Sequence, residues 1–210
     1  MIAMNHARQR HTRTERRDAA ENRQRILDAA VKLFEQHGVE QVSMNQIAIE
    51  AGIGPGTLYR RYRNKSELCM DLIKDNIVLL FEDIEAYLKE HRDEPPSQRL
   101  KGILTIFIAF REKKLQLLAG VEEVSPANKS QSRAPDPVYD ELHDIITKLF
   151  QEMTVNTLAE PDNVFRADIL LTALKKDFYV FQRDVRGYSS ESFLEQLCLI
   201  FFPQAHQDNP

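Results

Sequence analysis

The residues with chemistry to offer lie near one end of the chain. Between Ser43 and Tyr62 (SMNQIAIEAGIGPGTLYRRY), a serine precedes a glutamine by three residues, glycines alternate through Gly52, Gly54 and Gly56, and Thr57, Tyr59, Arg60 and Arg61 follow. Ser43 with Gln46 has the spacing of a capping box, in which the serine oxygen accepts a backbone N–H and the glutamine reaches back. That predicts a short helix with Met44, Ile47, Ala48 and Ala51 on its apolar face, ended by Gly52. Ile53 is the one apolar residue of the turn and plugs the gap between helices. Gly54 suits an N-cap and Pro55 the first helical position, so a second short helix follows, with Leu58 and Tyr62 turned inward. Helix, tight turn, helix is the arrangement that offers its second helix to the major groove of DNA. The expected chemistry is therefore recognition. Gly54 and Gly56 let the backbone approach phosphates, Thr57 bonds a phosphate or touches a thymine methyl, and the N–H groups at Ser43, Met44 and Asn45 suit another phosphate.

Arg61 has two readings. Pointing into the groove, it forks onto guanine O6 and N7, worth roughly 1–3 kcal/mol of base discrimination; otherwise it pairs a phosphate or is solvated. Arg60 is expected to contact a phosphate or stay in water. Other chemistries find little support. Gly52-x-Gly54-x-Gly56 lacks the spacing of a dinucleotide loop, no strand precedes it, and no Gly-Lys-Ser/Thr follows. His6, His11, His37, His91, His143 and His206 show no metal-ligand spacing. No G-x-S-x-G elbow is present, so neither catalysis nor a cofactor is expected.

The elements that must position these residues are helical. Only 7 glycines occur in 210 residues, and alternating β-branched runs between turns are nearly lacking. Hydrophobic residues make up 42% and charged residues 29%, the mix of a globular chain that buries a core. Apolar stretches such as Ile103–Phe110 and Leu197–Phe202 fall far short of the roughly 20 residues that span a bilayer, and no classical export signal is read at the N-terminus, so a cytoplasmic protein without membrane contact is expected. Cys69 and Cys198 sit in apolar-periodic stretches and are read as buried thiols of a reducing compartment. Charge divides the chain. Residues 1–65 carry 12 Lys/Arg against 7 Asp/Glu, a balance of +5, and the remainder carries 16 against 25, a balance of −9. The first 25 residues hold Arg8, Arg10, Arg13, Arg16, Arg17, Arg23 and Arg25, a basic arm of the kind that nucleic-acid-binding modules carry, or a solvated tail.

Periodicity places a first helix over Arg23–Gln36, closed by Gly38. Asn64 with Glu67 caps a long fourth helix that Pro95-Pro96 ends, and a fifth runs from Ser97 to Leu118 with a bend near Glu112–Lys114. Val124–Pro137 reads as a loop, and a helix from Val138 to Met153 ends before Pro161. Asp162–Arg186 and Ser190–Phe202 form a final helical hairpin. Its apolar residues surround so much of the first helix that either this helix is fully internal or a partner is implied, most simply a second copy, through Phe165, Ile169, Leu170, Leu174, Phe178, Phe181, Phe193, Leu197 and Phe201. The domains expected are a flexible arm over 1–21, a helix-turn-helix domain over 22–67 and a helical domain over 68–210, with the hairpin at 162–202.

The stretch from Arg23 to Leu68, with ILDAAVKLF, VSMNQIA and AGIGPGTLYRRYRNKSEL, resembles the N-terminal DNA-binding domain of the TetR family of bacterial transcriptional regulators. It covers 46 of 210 residues. Tyr59 resembles the family's backbone-contacting tyrosine and Lys65 its phosphate-contacting lysine. Gly54 stands where the family commonly has serine or threonine, and Arg61 where tyrosine or histidine is more usual. The resemblance implies an all-α homodimer on a palindromic operator, usually a repressor, whose larger domain binds a small-molecule effector that the sequence does not name. Phe81, Phe107, Phe110, Tyr139 and His143 are candidates to line that cavity, and each is equally a packing residue; Glu122 and Glu123 would attract a cationic ligand if buried. The alternative is a helical interaction module whose helix-turn-helix is only structural.

Overall fold

The computed structural model describes residues 2–119, 137–153 and 162–202, with side chains over 19–118, 138–153 and 162–202. Among them every regular element is helical. The helices are α1 (Ile2–His37), α2 (Met44–Glu50), α3 (Pro55–Arg61), α4 (Lys65–Glu90), α5 (Pro96–Ala119), α6 (Pro137–Met153), α7 (Asn163–Ala173), α8 (Lys176–Val180) and α9 (Ser190–Phe201). A π-helical turn, Phe181–Val185, follows α8. Two compact units result, one from Met1–Asp75 with the end of α5 from Lys113, the other from Asn76–Glu112 with α6 to α9.

In the first unit, α1 buries Ile26, Leu27, Ala30 and Phe34, and Gly38 stops it at φ +79° with its N–H on the Phe34 carbonyl. A left-handed residue there favours glycine. α1 begins at Ile2, whereas the sequence suggested a helix from Arg23 behind a flexible arm. No glycine or proline precedes Gly38, and the alanines, arginines and glutamines of that stretch favour helix, so nothing local interrupts it. α2 packs on α1 and α3. Ile47, Ala48, Leu58, Tyr62, Leu68 and Leu72 close the core, with Cys69 fully buried among them. Asn64 caps α4 as expected, accepting from the Glu67 N–H at 2.9 Å.

The second unit is centred on Leu80, Ile84, Leu100, Ile103, Leu104, Leu142, Ile146, Phe150 and Leu170, all nearly fully buried. Gly102 makes room for the Tyr87 ring: a Cβ there would lie 2.1 Å from Tyr87 Cζ. α5 stays helical through Glu112–Lys114, where the bend was expected, as suits a stretch with no glycine or proline after Gly102. Two expectations change. The helix expected over Asp162–Arg186 breaks at Leu174–Lys175, where Lys175 is extended (ψ 148°), and α8 restarts. No glycine or proline marks that break. It coincides with tertiary contacts of Tyr179, which is buried, meets Phe193 edge-on at 5.1 Å, and donates a hydrogen bond to Glu112. Cys198 is half-buried rather than buried.

The hairpin also divides differently. Leu170, Leu174, Phe193, Leu197 and Phe201 are buried within the chain, because their helical phase turns them toward the unit's own interior, and they are withdrawn from the candidate face. Phe165, Ile169, Phe178 and Phe181 remain exposed, joined by Val164, Val185, Leu199 and Ile200. The expected loop Val124–Pro137 lies outside the described residues except for Pro137, which opens α6.

Candidate nucleic-acid interface

The capping box at the head of α2 is complete. Ser43 Oγ accepts from the Gln46 N–H at 3.3 Å, and the Ser43 N–H donates to Gln46 Oε1 at 2.8 Å. Ile47 N–H bonds the Ser43 carbonyl, so the N–H groups of Met44 and Asn45 are those the first turn leaves over. Ser43 and Asn45 are exposed, but the Met44 side chain is buried, leaving only its backbone for a phosphate. Gly52 turns the chain at φ +63°, and Gly54 caps α3 without a side-chain bond, Pro55 following at the first position. A Cβ at Gly54 or Gly56 would meet no atom of the chain within 4 Å, so the space they leave is open to a partner.

Leu58 and Tyr62 anchor α3 inward, as the spacing predicts. Ile53 is half-buried, Thr57 half-buried, Tyr59 46% exposed, and Arg60 and Arg61 exposed. A cleft of about 770 Å³ runs beside α3, lined by Asn22 and Ile26 of α1, by Thr57, Arg60 and Arg61, and by Asp71 and Lys74 of α4. Asp71 organises its floor. Arg23 Nε donates to Asp71 at 2.9 Å and its Nη2 to Asp75 at 2.7 Å, while the Tyr62 hydroxyl donates to Asp71 at 2.6 Å. Burial alone would raise the Asp71 pKa, but these bonds and the Arg61 charge outweigh it and hold the carboxyl below its ordinary value. The same carboxylates push the Arg23 pKa up. Arg61 lies 5.8 Å from the centre of the Tyr62 ring. Its guanidinium lies beside that ring, and its charge acts on Asp71.

Two other cations do unexpected work. Lys65, expected from the resemblance to meet a phosphate, donates to the carbonyls of Val39, Glu40 and Val42. Arg25 Nη2 donates to the carbonyls of Ala51 at 2.6 Å and Gly52 at 3.0 Å, closing the end of α2. Sequence reasoning missed Arg23 and Arg25 as structural residues. The Asp71, Asp75 spacing of four on α4 was the available signal for Arg23; nothing local marked Arg25.

Among the described residues the five effector candidates fall into three groups: Phe81, the pair Phe107 and Phe110, and the stacked pair Tyr139 and His143. Phe81 lines a groove of about 620 Å³ between α4 and α6, with Ile77, Leu88, Ile145 and the carboxylates of Glu82, Glu85 and Glu141. Phe107 is buried in the core, 6.0 Å from Phe110. Tyr139 donates to Asp168 at 2.5 Å, a bond that pushes its pKa up to about 12, and His143 Nε2 lies 3.5 Å from the same carboxylate. Glu122 and Glu123 lie outside the described residues. Among the described residues no helix is long and apolar enough to cross a membrane.

Comparison with known proteins agrees with this geometry. Residues 26–71 match the family described as bacterial regulatory proteins, tetR family. An HTH-type transcriptional regulator of Staphylococcus aureus is 32% identical over 198 residues, which cover 92% of this chain and all of the relative. A TetR/AcrR-family regulator from Thermobifida fusca shares the fold at TM-score 0.58 and 18% identity, covering 88% of this chain and 98% of that one. FadR of Thermus thermophilus, a TetR-family repressor solved with lauroyl-CoA, shares it at TM-score 0.52 and 20% identity, covering 90% and 98%. With the helix-turn-helix built as described and a relative aligned over nearly the whole chain, the protein belongs to the TetR family of bacterial regulatory proteins and is a DNA-binding transcriptional regulator.

Proposed function

We propose that the protein is a repressor that binds a palindromic operator as a homodimer and leaves it when a small molecule occupies the larger helical unit. The observation that carries the DNA half is the exposed side of α3. Tyr59, Arg60 and Arg61 stand exposed beside the open space at Gly54 and Gly56, on a helix fixed from behind by Leu58 and Tyr62. Ser43, Asn45, Pro55 and Thr57 complete the surface offered to the duplex. Residues 22–67 read the DNA, and residues 68–210 bind effector and partner. The protein acts by binding rather than catalysis, in the bacterial cytoplasm where the chromosome is.

Two observations support the rest. Phe165 and Ile169 on α7, then Phe178, Phe181 and Val185, expose apolar side chains at helical spacing, the surface that a second copy covers in a two-fold dimer. The α4–α6 groove, lined mostly by apolar side chains, provides a place for a small ligand in this chain, and the lauroyl-CoA complex of a structural relative is the precedent for a bound ligand. Footprinting of DNA upstream of the protein's own gene tests the reading. Protection of two symmetric half-sites roughly 34–36 Å apart, or a multiple of that turn, is expected. A single asymmetric footprint made by one chain contradicts the dimer.

A further inference from the structure

We infer that Lys65 is a positioning residue of the helix-turn-helix, its ammonium fixing the α1–α2 turn to the head of α4, and not a phosphate contact. An ammonium has three N–H donors. Lys65 Nζ lies 2.6 Å from the Val39 carbonyl oxygen, 3.1 Å from that of Glu40 and 2.9 Å from that of Val42, so all three donors have an acceptor inside the chain. The acceptors have a reason to be there. They come from the segment between Gly38, where α1 stops, and Ser43, the cap of α2, where backbone carbonyls have no helical partner and need another donor.

The side chain is half-buried, and its charge reaches the interior. Burial pushes the Cys69 thiol, one turn along α4, up to about 11, with Lys65 the charge that works against the rise. At the other end of α2, Arg25 satisfies the Ala51 and Gly52 carbonyls in the same manner. A Cβ on Gly52 would come within 2.9 Å of that guanidinium, so the glycine leaves room for the clamp. Both ends of α2 are thereby pinned by cations from neighbouring helices. α3 follows α2 through a single short turn, so the setting of α2 sets where α3 is offered. To reach a phosphate, Lys65 must abandon three carbonyls, two of them at part-buried positions. Outward from α3 and its following turn stand Arg60, Arg61 and Arg63, the last with a side chain 88% exposed and its Nε 3.8 Å from a Glu67 carboxylate oxygen.

The test uses the full-length protein and a random-sequence duplex, whose binding is read across a salt series. Lys65→Met keeps the length and removes the donors. Lys65→Arg keeps the charge but does not converge three donors on the same carbonyls. For both, we expect affinity about tenfold weaker, the worth of one lost charge-assisted hydrogen bond, an unchanged salt slope, and faster amide exchange over residues 39–43. A phosphate contact instead predicts a slope lower by about 1 for Lys65→Met, rescue by Lys65→Arg, and unchanged exchange; any of these overturns the inference. A second measurement on the unaltered protein does not depend on how the variants fold. Reductive methylation should leave Lys65 protected with and without DNA, compared with the exposed Lys74 as the reactive reference. Ready modification in the free protein that DNA suppresses would assign Lys65 to the phosphate.

Discussion

Phe165→Ser is the sharpest probe of the dimer face. Phe165 is 60% exposed on α7, with Ile169 one turn further on 45% exposed. A phenylalanine side chain buries on the order of 200 Å² when covered, so roughly 120 Å² of this one stays uncovered in the single chain. Covering that area contributes about 3 kcal/mol at about 25 cal/mol per Å². Two-fold symmetry counts the ring twice, which sets an upper bound of about 6 kcal/mol per dimer. Because side chains at an interface are ordered and incompletely covered, about half of that is realistic. A loss of about 3 kcal/mol weakens the dimer by roughly 100-fold. Sedimentation equilibrium of parent and variant over a wide concentration range reads this directly. Phe193→Ser is the contrast, since Phe193 is 5% exposed and its loss should lower the unfolding midpoint of the chain instead. Self-association of Phe165→Ser as tight as the parent's would refute the placement of the face.

Other perturbations follow from the same geometry. Gly102→Ala places a Cβ 2.1 Å from the Tyr87 ring, which is stacked at 4.0 Å on His91, so urea unfolding should show a loss of about 1–3 kcal/mol; equal midpoints would mean the ring moves aside freely. Asp71 has a folded pKa below its ordinary value, so its contribution to stability is present above about pH 4 and is lost as pH falls through the folded value. Asp71→Asn should therefore be less stable than the parent at neutral pH, and the gap should close as denaturation is repeated at progressively lower pH. A gap that stays constant contradicts the linkage. Arg61→Ala should weaken binding to operator and random DNA by similar factors, because the guanidinium lies beside Tyr62 and Asp71; a relaxed preference at one operator position, read by selection from mixed pools, would restore base reading.

Local chemistry made the helix-turn-helix legible. The Ser43–Gln46 box, the Gly52 stop, Pro55 at the head of α3 and the Leu58, Tyr62 spacing each act within one turn of helix, and each stands in the structure as read. What escaped depends on distance along the chain. The acceptors of Lys65 lie 23 to 26 residues before it, so a lysine beside a DNA-binding motif reads as a phosphate ligand until the turn is folded over it. Lys175 breaks a helix with no glycine or proline near, at a point accompanied by the contacts of Tyr179 with Phe193 and Glu112. In the hairpin, apolarity all round α7 correctly suggested that one side lacks a cover, but composition does not tell which residues the chain buries for itself. Phase separates Leu170 and Leu174 from Phe165 and Ile169 only once the packing of α7 against α6 is known. Aromatic residues gave the same ambiguity for the effector: of five candidates, Phe81 alone reaches the α4–α6 groove.

Binding of a DNA operator by the dimer should be specific and electrostatically driven. Fluorescence anisotropy with labelled DNA from upstream of the protein's own gene, competed by random duplex and repeated across a salt series, tests it most directly. Upstream DNA should resist competition, and affinity should fall steeply as salt rises, in proportion to the phosphates neutralised. Upstream DNA displaced as readily as random DNA by ligand-free protein, together with no sequence enriched from random pools, would contradict it.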